Sequence, residues 1–513
     1  MLELQSHFVA SLPGDPLNVA GTRTVLGACW SPVDPTPVAA PSLVAMADEV
    51  RALLGLPADA AEDPALIDVL AGNRTPDGAR PYAACYGGHQ FGHWAGQLGD
   101  GRAIVLGERL GADGRRWEVQ LKGAGPTPYS RHADGRAVLR SSVREFLCSE
   151  AMAHLGVPTT RALALVTTGE GVVRDMFYDG RPRVEPGAVV TRVAPSFLRF
   201  GSYEIHAARG DLATLGALVD HTLAAHFPEL GPRTPESVVA LYAEVMARTA
   251  RLVASWQGLG FVHGVMNTDN LSILGLTIDY GPYGWLEGYD PNWTPNTSDS
   301  DRRRYHYANQ PQVAGWNLAR LAEALAPLVG DPEPFQIELD AYGPTVESAL
   351  DEVFARKLAL PTPDDVLLVD LFRVMTIVET DWTLFFRMLA RVRPDDDDAR
   401  LLAPLAEAFY TPPTPDGAHR IAGWVRQWLR FTEPDPAKRR AIMDAANPRY
   451  VLRNWLAQLA IDRAERGDVD GVRELLDVLR HPYDDQPGRD AYAARRPEWA
   501  RNRAGCSMLS CSS

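Results

Sequence analysis

A change of texture at about residue 205 narrows the architectures open to this chain. Between about 80 and 200, short β-like runs punctuated by glycine (Ala103–Leu106, Trp117–Leu121, Ala162–Val166, Ala188–Val193) surround one strong helical stretch. From about 210, apolar residues recur at helical spacing, as at Leu212, Leu215, Leu218, Val219 and Leu223, and a second run covers Pro235 to Trp256. Beyond 310 nearly everything reads as helix, broken by proline-rich joints near 361–364, 394–397 and 411–415. The pattern therefore predicts an α+β protein with a β-rich lobe carrying one long helix, joined to a larger helical lobe. That helix is expected over about Arg136–Leu155, with Asp134 as its cap and Gly156 and Pro158 as its stop. The expected division is 1–78, an N-terminal extension packed on the core; 79–205, the β-rich lobe; 206–330, the helical lobe with its functional loops; and 331–513, a helical C-terminal region with a cysteine-containing tail. Within the extension, Leu43, Met46, Val50 and Leu53 share a helical face, which predicts a helix over Ser42–Leu54.

Composition excludes several classes. The 513 residues suggest two to four lobes, and 46% hydrophobic with 23% charged residues is globular, not fibrous or disordered. With 51 Lys plus Arg against 65 Asp plus Glu, the net charge of −14 argues against binding nucleic acid or an anionic membrane. Five cysteines, at 29, 85, 148, 506 and 511, make no disulfide framework. The N-terminal MLELQSHFVASLPGDP lacks the marks of a secretion signal. The apolar candidate Val366–Val392 is interrupted by Asp370, Arg373, Glu379 and Asp381. A cytoplasmic monomer is the expectation.

The chemistry concentrates in His263-Gly-Val-Met-Asn-Thr-Asp-Asn270, followed by Leu271–Ile278 and Asp279-Tyr-Gly281. An Asn amide oxygen and an Asp carboxylate are hard ligands suited to Mg²⁺ or Mn²⁺ on a polyphosphate. Taken alone, the stretch reads better as a β-hairpin whose Asn and Asp cap turns. Upstream, Gln97-Leu-Gly99-Asp-Gly101-Arg102 forms a glycine turn before a strand, Lys122 ends the next strand, and Glu145 lies twenty-three residues later on the predicted helix. Each has a bland reading: a hairpin turn, a solvated lysine, an exposed helix charge. The ordered set of glycine turn, strand lysine, helix glutamate, His…Asn loop and Asp-x-Gly is the order of protein-kinase-like folds. Against H-R-D-x-x-x-x-N, however, His263 and Asn270 keep their spacing while Val265 stands where the kinase base belongs.

YGGHQFGHWAGQLGDGRA (86–103), QLKGAGPTPYSRHADGRAVLRSS (120–142), HGVMNTDN (263–270) and the terminal Cys511-Ser-Ser513 make the chain closely resemble the selenoprotein O (SelO, or YdiU) family, protein adenylyltransferases on a pseudokinase fold. The resemblance runs nearly end to end. It implies transfer of AMP from ATP to Ser, Thr or Tyr hydroxyls of proteins, self-modification included, with UMP transfer from UTP as a further activity. The nucleotide would sit inverted relative to kinases, exposing the α-phosphorus. On matching positions, the resemblance implies nucleotide contacts at Gly99, Gly101, Arg102, Lys122, Asp134, Gly135, Arg192, Arg199 and Asp279. It further implies that Glu145 orients Lys122, that Asn270 and Asp279 ligate Mg²⁺ or Mn²⁺, and that Asp269 accepts the hydroxyl proton. A metal-ordering role is the milder alternative for Asp269.

The same resemblance implies redox function for Cys506 and Cys511, because selenocysteine takes the place of Cys511 in some relatives. The two tail thiols either pair or stay reduced. Relatives with a cysteine near the stretch matching Asn292–Asn296 can bridge it to the tail, whereas this chain has none there. Two other functions compete with AMP transfer: an atypical kinase-like phosphotransferase, against which Val265 counts, and a noncatalytic nucleotide-binding scaffold.

Overall fold

The structure is a computed structural model and describes residues 2–510. Its strands are β1 (Trp30–Pro32), β2 (Ser42–Met46), β3 (Tyr82–Ala84), β4 (Gly87–Gln90), β5 (His93–Gln97), β6 (Ala103–Leu110), β7 (Arg116–Lys122), β8 (Ala137–Val138), β9 (Arg161–Arg174), β10 (Arg183–Ala194), β11 (Phe261–Val262) and β12 (Gly284–Trp285). Seven form one antiparallel sheet in the order β1-β3-β6-β7-β10-β9-β2, and β8 pairs with β10. The strands occupy the runs where β-branched and alternating residues predict them. In β7, Trp117, Val119 and Leu121 point to one face and Glu118, Gln120 and Lys122 to the other, so a strand buried along most of its length still carries a polar line.

The first 78 residues do more than lie on this sheet: β1 closes one edge and β2 the other. Here one expectation fails. Ser42–Met46 is a strand paired antiparallel with β9, and only Asp48–Leu53 is helical. A five-residue stretch whose sequence fits either period is decided by the open edge of β9, which offers unpaired backbone groups.

The long helix runs over Leu139–His154 and packs on β9 and β10. Its start also differs from expectation. Asp134 is not its cap; the N-cap is Val138, with no side-chain bond, because Ala137 and Val138 are drawn into β8 by pairing with Ala188 and Gly187. Asp134 instead accepts from the Arg136 amide at 2.9 Å, closing a turn ahead of the strand.

Beyond residue 200 the chain is helical, with helices at Phe200–Ala208, Leu212–His226 and Pro235–Leu259 before the functional loops and Gln310–Val329 after them. The last of the early three is fixed at both ends by a Thr234–Ser237 capping box and by Gly260 in the left-handed region, which delivers the chain into β11 and the 263–270 loop. The segment 271–278 makes isolated bridges, Leu271 to Thr277 among them, and not a regular hairpin. One apolar core runs from the sheet into these helices, and a second is centred on Trp382, Trp424 and Trp428. Among the described residues, no helix is long and apolar enough to cross a membrane.

Candidate active site

The polar line of β7 and the end of β10 meet the 263–281 segment at a cavity of about 730 Å³ between the two lobes. Gly99, Gly101, Arg102, Lys122, Asp134, Gly135, Glu145, Arg192, Asp269, Asn270 and Asp279 all line it. Residues spread over 180 positions of sequence are thus brought to one wall. Arg199 does not line it but reaches Asp279 from behind.

Glycine is required at two turns. Gly99 has φ +77, and a Cβ there would lie 2.3 Å from the Tyr129 ring. Gly135 has φ +69, and a Cβ would meet the Gly125 carbonyl carbon at 2.1 Å. These contacts let the turn before β6 and the 125–135 loop close together, leaving Arg102 and Asp134 at the cavity. Asp134 is held there by Arg174 at 2.7 Å.

The electrostatic centre is Asp279. Lys122 Nζ stands 2.7 Å from Glu145 Oε2 and 3.9 Å from Asp279 Oδ1. Arg192 Nη1 donates to Asp279 Oδ1 at 2.6 Å and to Glu145 Oε1 at 3.1 Å, while Arg199 Nη1 donates to Asp279 Oδ2. Burial alone would raise the pKa of Asp279, yet Arg199, Arg192 and Lys122 hold it well below the usual carboxylate range. Its backbone takes φ 59, a conformation that Asp tolerates better than most residues. The arginines are backed in turn: Arg192 donates through Nε to Gln120 Oε1 at 2.8 Å, and Arg199 lies 4.4 Å over the Tyr86 ring.

Asp269 is different. It sits in a short 3₁₀ turn, Thr268–Asn270, with Arg199 donating to its backbone carbonyl at 2.8 Å. Among the described residues, no cation contacts its carboxylate directly. Burial pushes its pKa up to about 7, against the opposing pull of Gln90 and Arg199. Asn270 Nδ2 donates to Val265 O at 2.8 Å, which leaves the amide oxygen as the atom able to ligate. Asn270 and Asp279 together offer the hard oxygen donors that suit Mg²⁺ or Mn²⁺.

Sequence reasoning missed Gln90, Asp100, Gln120 and Tyr86. Asp100 is buried beneath the glycine turn, accepts from Gln120 Nε2 at 3.1 Å and stands 3.9 Å from Arg199, tying the turn to both arginines. Two signals could have found part of this set. Gln120 lies two residues before Lys122 on the same strand face, and Asp100 sits between the two glycines. The described part of the tail, through Ser510, does not line the cavity. Cys506 is a buried free thiol, its pKa pushed up to about 11 by burial, and Cys511 lies outside the described residues. Leu509 bridges Asn296 and accepts from the Thr297 amide at 2.7 Å, so the tail runs beside the stretch that follows the Asp279 loop.

A lysine on a sheet strand paired to a helix glutamate, facing an Asp from the helical lobe, is the arrangement of a kinase-like fold, here without the kinase base. The sequence matches the family described as Protein adenylyltransferase SelO over residues 22–480. The chain belongs to this SelO family, a family of nucleotidyltransferases. Among similar proteins, the protein nucleotidyltransferase YdiU of Aromatoleum aromaticum is 57% identical over 523 residues, covering 100% of this chain and 99% of its own. YdiU of Xanthomonas axonopodis pv. citri is 58% identical over 524 residues with the same coverage. Among solved structures, ROP2 from Toxoplasma gondii, described as a virulence factor with a protein-kinase fold and no enzymatic activity, aligns with 52% of this chain and 86% of its own at 14% identity and a TM-score of 0.24. That likeness is too slight to support any step here.

Proposed function

We propose that the chain transfers AMP from ATP to Ser, Thr or Tyr hydroxyls of proteins, itself included, with UTP as a second donor. One observation carries this reading: the kinase base position holds Val265, while a buried carboxylate, Asp269, stands beside Asn270 in the same cavity and is held there by Gln90. On this reading Lys122, Arg192 and Arg199 exchange Asp279 for the oxygens of the β- and γ-phosphates. Guanidinium forks and an ammonium suit a leaving pyrophosphate, whose charge grows as the bond breaks. Arg102, Asp134 and the glycine turns at 99, 101 and 135 shape the nucleotide end of the cavity. Glu145 keeps Lys122 pointed inward.

The acceptor oxygen attacks the α-phosphorus, the bond from that phosphorus to the α,β-bridging oxygen breaks, and pyrophosphate leaves with the bonding pair. The hydroxyl proton passes to the Asp269 carboxylate, whose raised pKa suits a base working near pH 7. Asn270 and Asp279 would hold Mg²⁺ or Mn²⁺, which supplies charge neutralisation on the moving phosphates.

The test uses ATP labelled at either the α- or the γ-phosphate, with Mg²⁺ or Mn²⁺ present. Protein-bound α-label without γ-label is expected. Protein-bound γ-label would replace this reading with phosphoryl transfer, and no label on any protein offered, itself included, with a noncatalytic scaffold.

A further inference from the structure

The string YGGHQFGHWAGQ folds as the β4–β5 hairpin, which stands apart from the main sheet and reaches over the 263–270 loop of the other lobe. Three consecutive residues of this hairpin hold three consecutive residues of the loop, Asn267 to Asp269. The His89 amide donates to Thr268 Oγ1 at 2.7 Å, and the Phe91 amide donates to Asn267 Oδ1 at 3.1 Å. His89 Nδ1 lies 2.9 Å from Glu204 Oε2, the same oxygen that accepts from Thr268 at 3.0 Å. The approach is close enough to demand glycine: a Cβ on Gly88 would lie 2.9 Å from Asp269 Oδ1. Between the two anchored residues, Gln90 Nε2 donates to Asp269 Oδ2 at 3.1 Å.

We propose that Gln90 is a positioning residue for Asp269, fixing the plane of its carboxylate so that Oδ2 meets the incoming hydroxyl. This rests on the reading of Asp269 as the acceptor of that hydroxyl's proton. Three physical points support it. A carboxylate turns about a broad torsion, so burial without a donor leaves its plane undefined. Oδ1 is sealed from solvent and has no hydrogen-bond partner among the described residues, which leaves Oδ2 as the oxygen an acceptor can reach. Oδ2 has a second lone pair once the amide has taken one. Because His89 and Phe91 clamp the hairpin on both sides, Gln90 owes its place to the fold of the other lobe.

The experiment is steady-state AMP transfer by the full chain carrying Gln90→Glu, Gln90→Leu, Asp269→Asn and the Gln90→Leu/Asp269→Asn pair, with ATP affinity measured by calorimetry. Gln90→Glu keeps the shape and removes the donor. Both Gln90 variants are expected to lower kcat about 10- to 100-fold, with the KM and Kd for ATP unchanged. The double variant is expected to fall less than about twofold below Asp269→Asn, since two residues acting through one group are not additive. Wild-type kcat in Gln90→Glu with kcat lowered in Asp269→Asn would overturn the inference alone. So would a matching loss of ATP affinity in both Gln90 variants, which marks a merely structural role. Full activity in Asp269→Asn would overturn the reading of Asp269, and the inference with it.

Discussion

Two buried ion-pair systems, one in the lobe junction and one in the C-terminal helices, use the same chemistry in different surroundings. Arg453 donates to both oxygens of Asp381 at 2.8 and 2.9 Å, with side chains 2% and 0% exposed. Asp381 also caps the helix Trp382–Leu389 by accepting from the Leu384 amide, and Tyr410 closes the remaining side. Asp279 likewise accepts from two arginines, but its side chain is 20% exposed and the wall it stands on opens into the nucleotide-sized cavity. An enclosed pair has nothing to exchange with, so it serves the fold. A pair on a cavity wall has cations that an incoming anion can claim. Burial and hydrogen bonding alone do not separate these cases; access to the partner does.

Substitution should separate them further. Asp279→Ala is expected to abolish metal-dependent AMP transfer, measured with α-labelled ATP, while the variant still folds with a cooperative melt. Asp381→Ala should do the reverse, leaving Arg453 buried and unpaired. A loss of about 3–5 kcal/mol is expected by chemical denaturation, with activity per folded molecule retained. A variant at Asp381 that kept its stability would break the comparison.

A third buried carboxylate tests it by pH. Burial, with Glu108 opposite it on the neighbouring strand, pushes Glu118 up to about 8. Its unfolded value is near 4.5, so between these values the folded chain holds more protons than the unfolded one. This group's contribution to stability is therefore full below about 4.5 and is lost as pH rises toward 8. Glu118→Gln lacks that decline and should gain on the wild type by up to about 4 kcal/mol between pH 5 and pH 9 in denaturation curves, at roughly 1.4 kcal/mol per pKa unit. The smallest effect belongs to an exposed pair, Arg233 with Asp220 at 2.9 Å. Arg233→Ala should cost less than about 1 kcal/mol, and less again in high salt.

Much of the architecture was legible from local pattern. The four β-like runs lie in β6, β7, β9 and β10, and the glycine turn, Lys122, Glu145, the His263–Asn270 loop and Asp279 meet at one cavity. Two local expectations gave way to pairing with distant strands: Ser42–Met46 joined β9, and Ala137–Val138 joined β10. Within the site, Lys122 was recognisable by its strand-end position, whereas Gln120, two positions before it on the same strand face, was missed. Gln90 was not recognisable, because the residue it serves lies 179 positions away and no local period connects them.

The sequence by itself determined the succession of a strand-rich and a helix-rich half, the loss of a kinase base at Val265 and, through its long motifs, the family. These follow from side-chain periodicity and residue identity, which act over a few positions. Only the tertiary structure decided that Arg192 and Arg199 converge on Asp279 across 87 and 80 positions, and that the β4–β5 hairpin closes over Asp269. Those contacts depend on how the two lobes seat against each other, and that seating is set by a core shared between them.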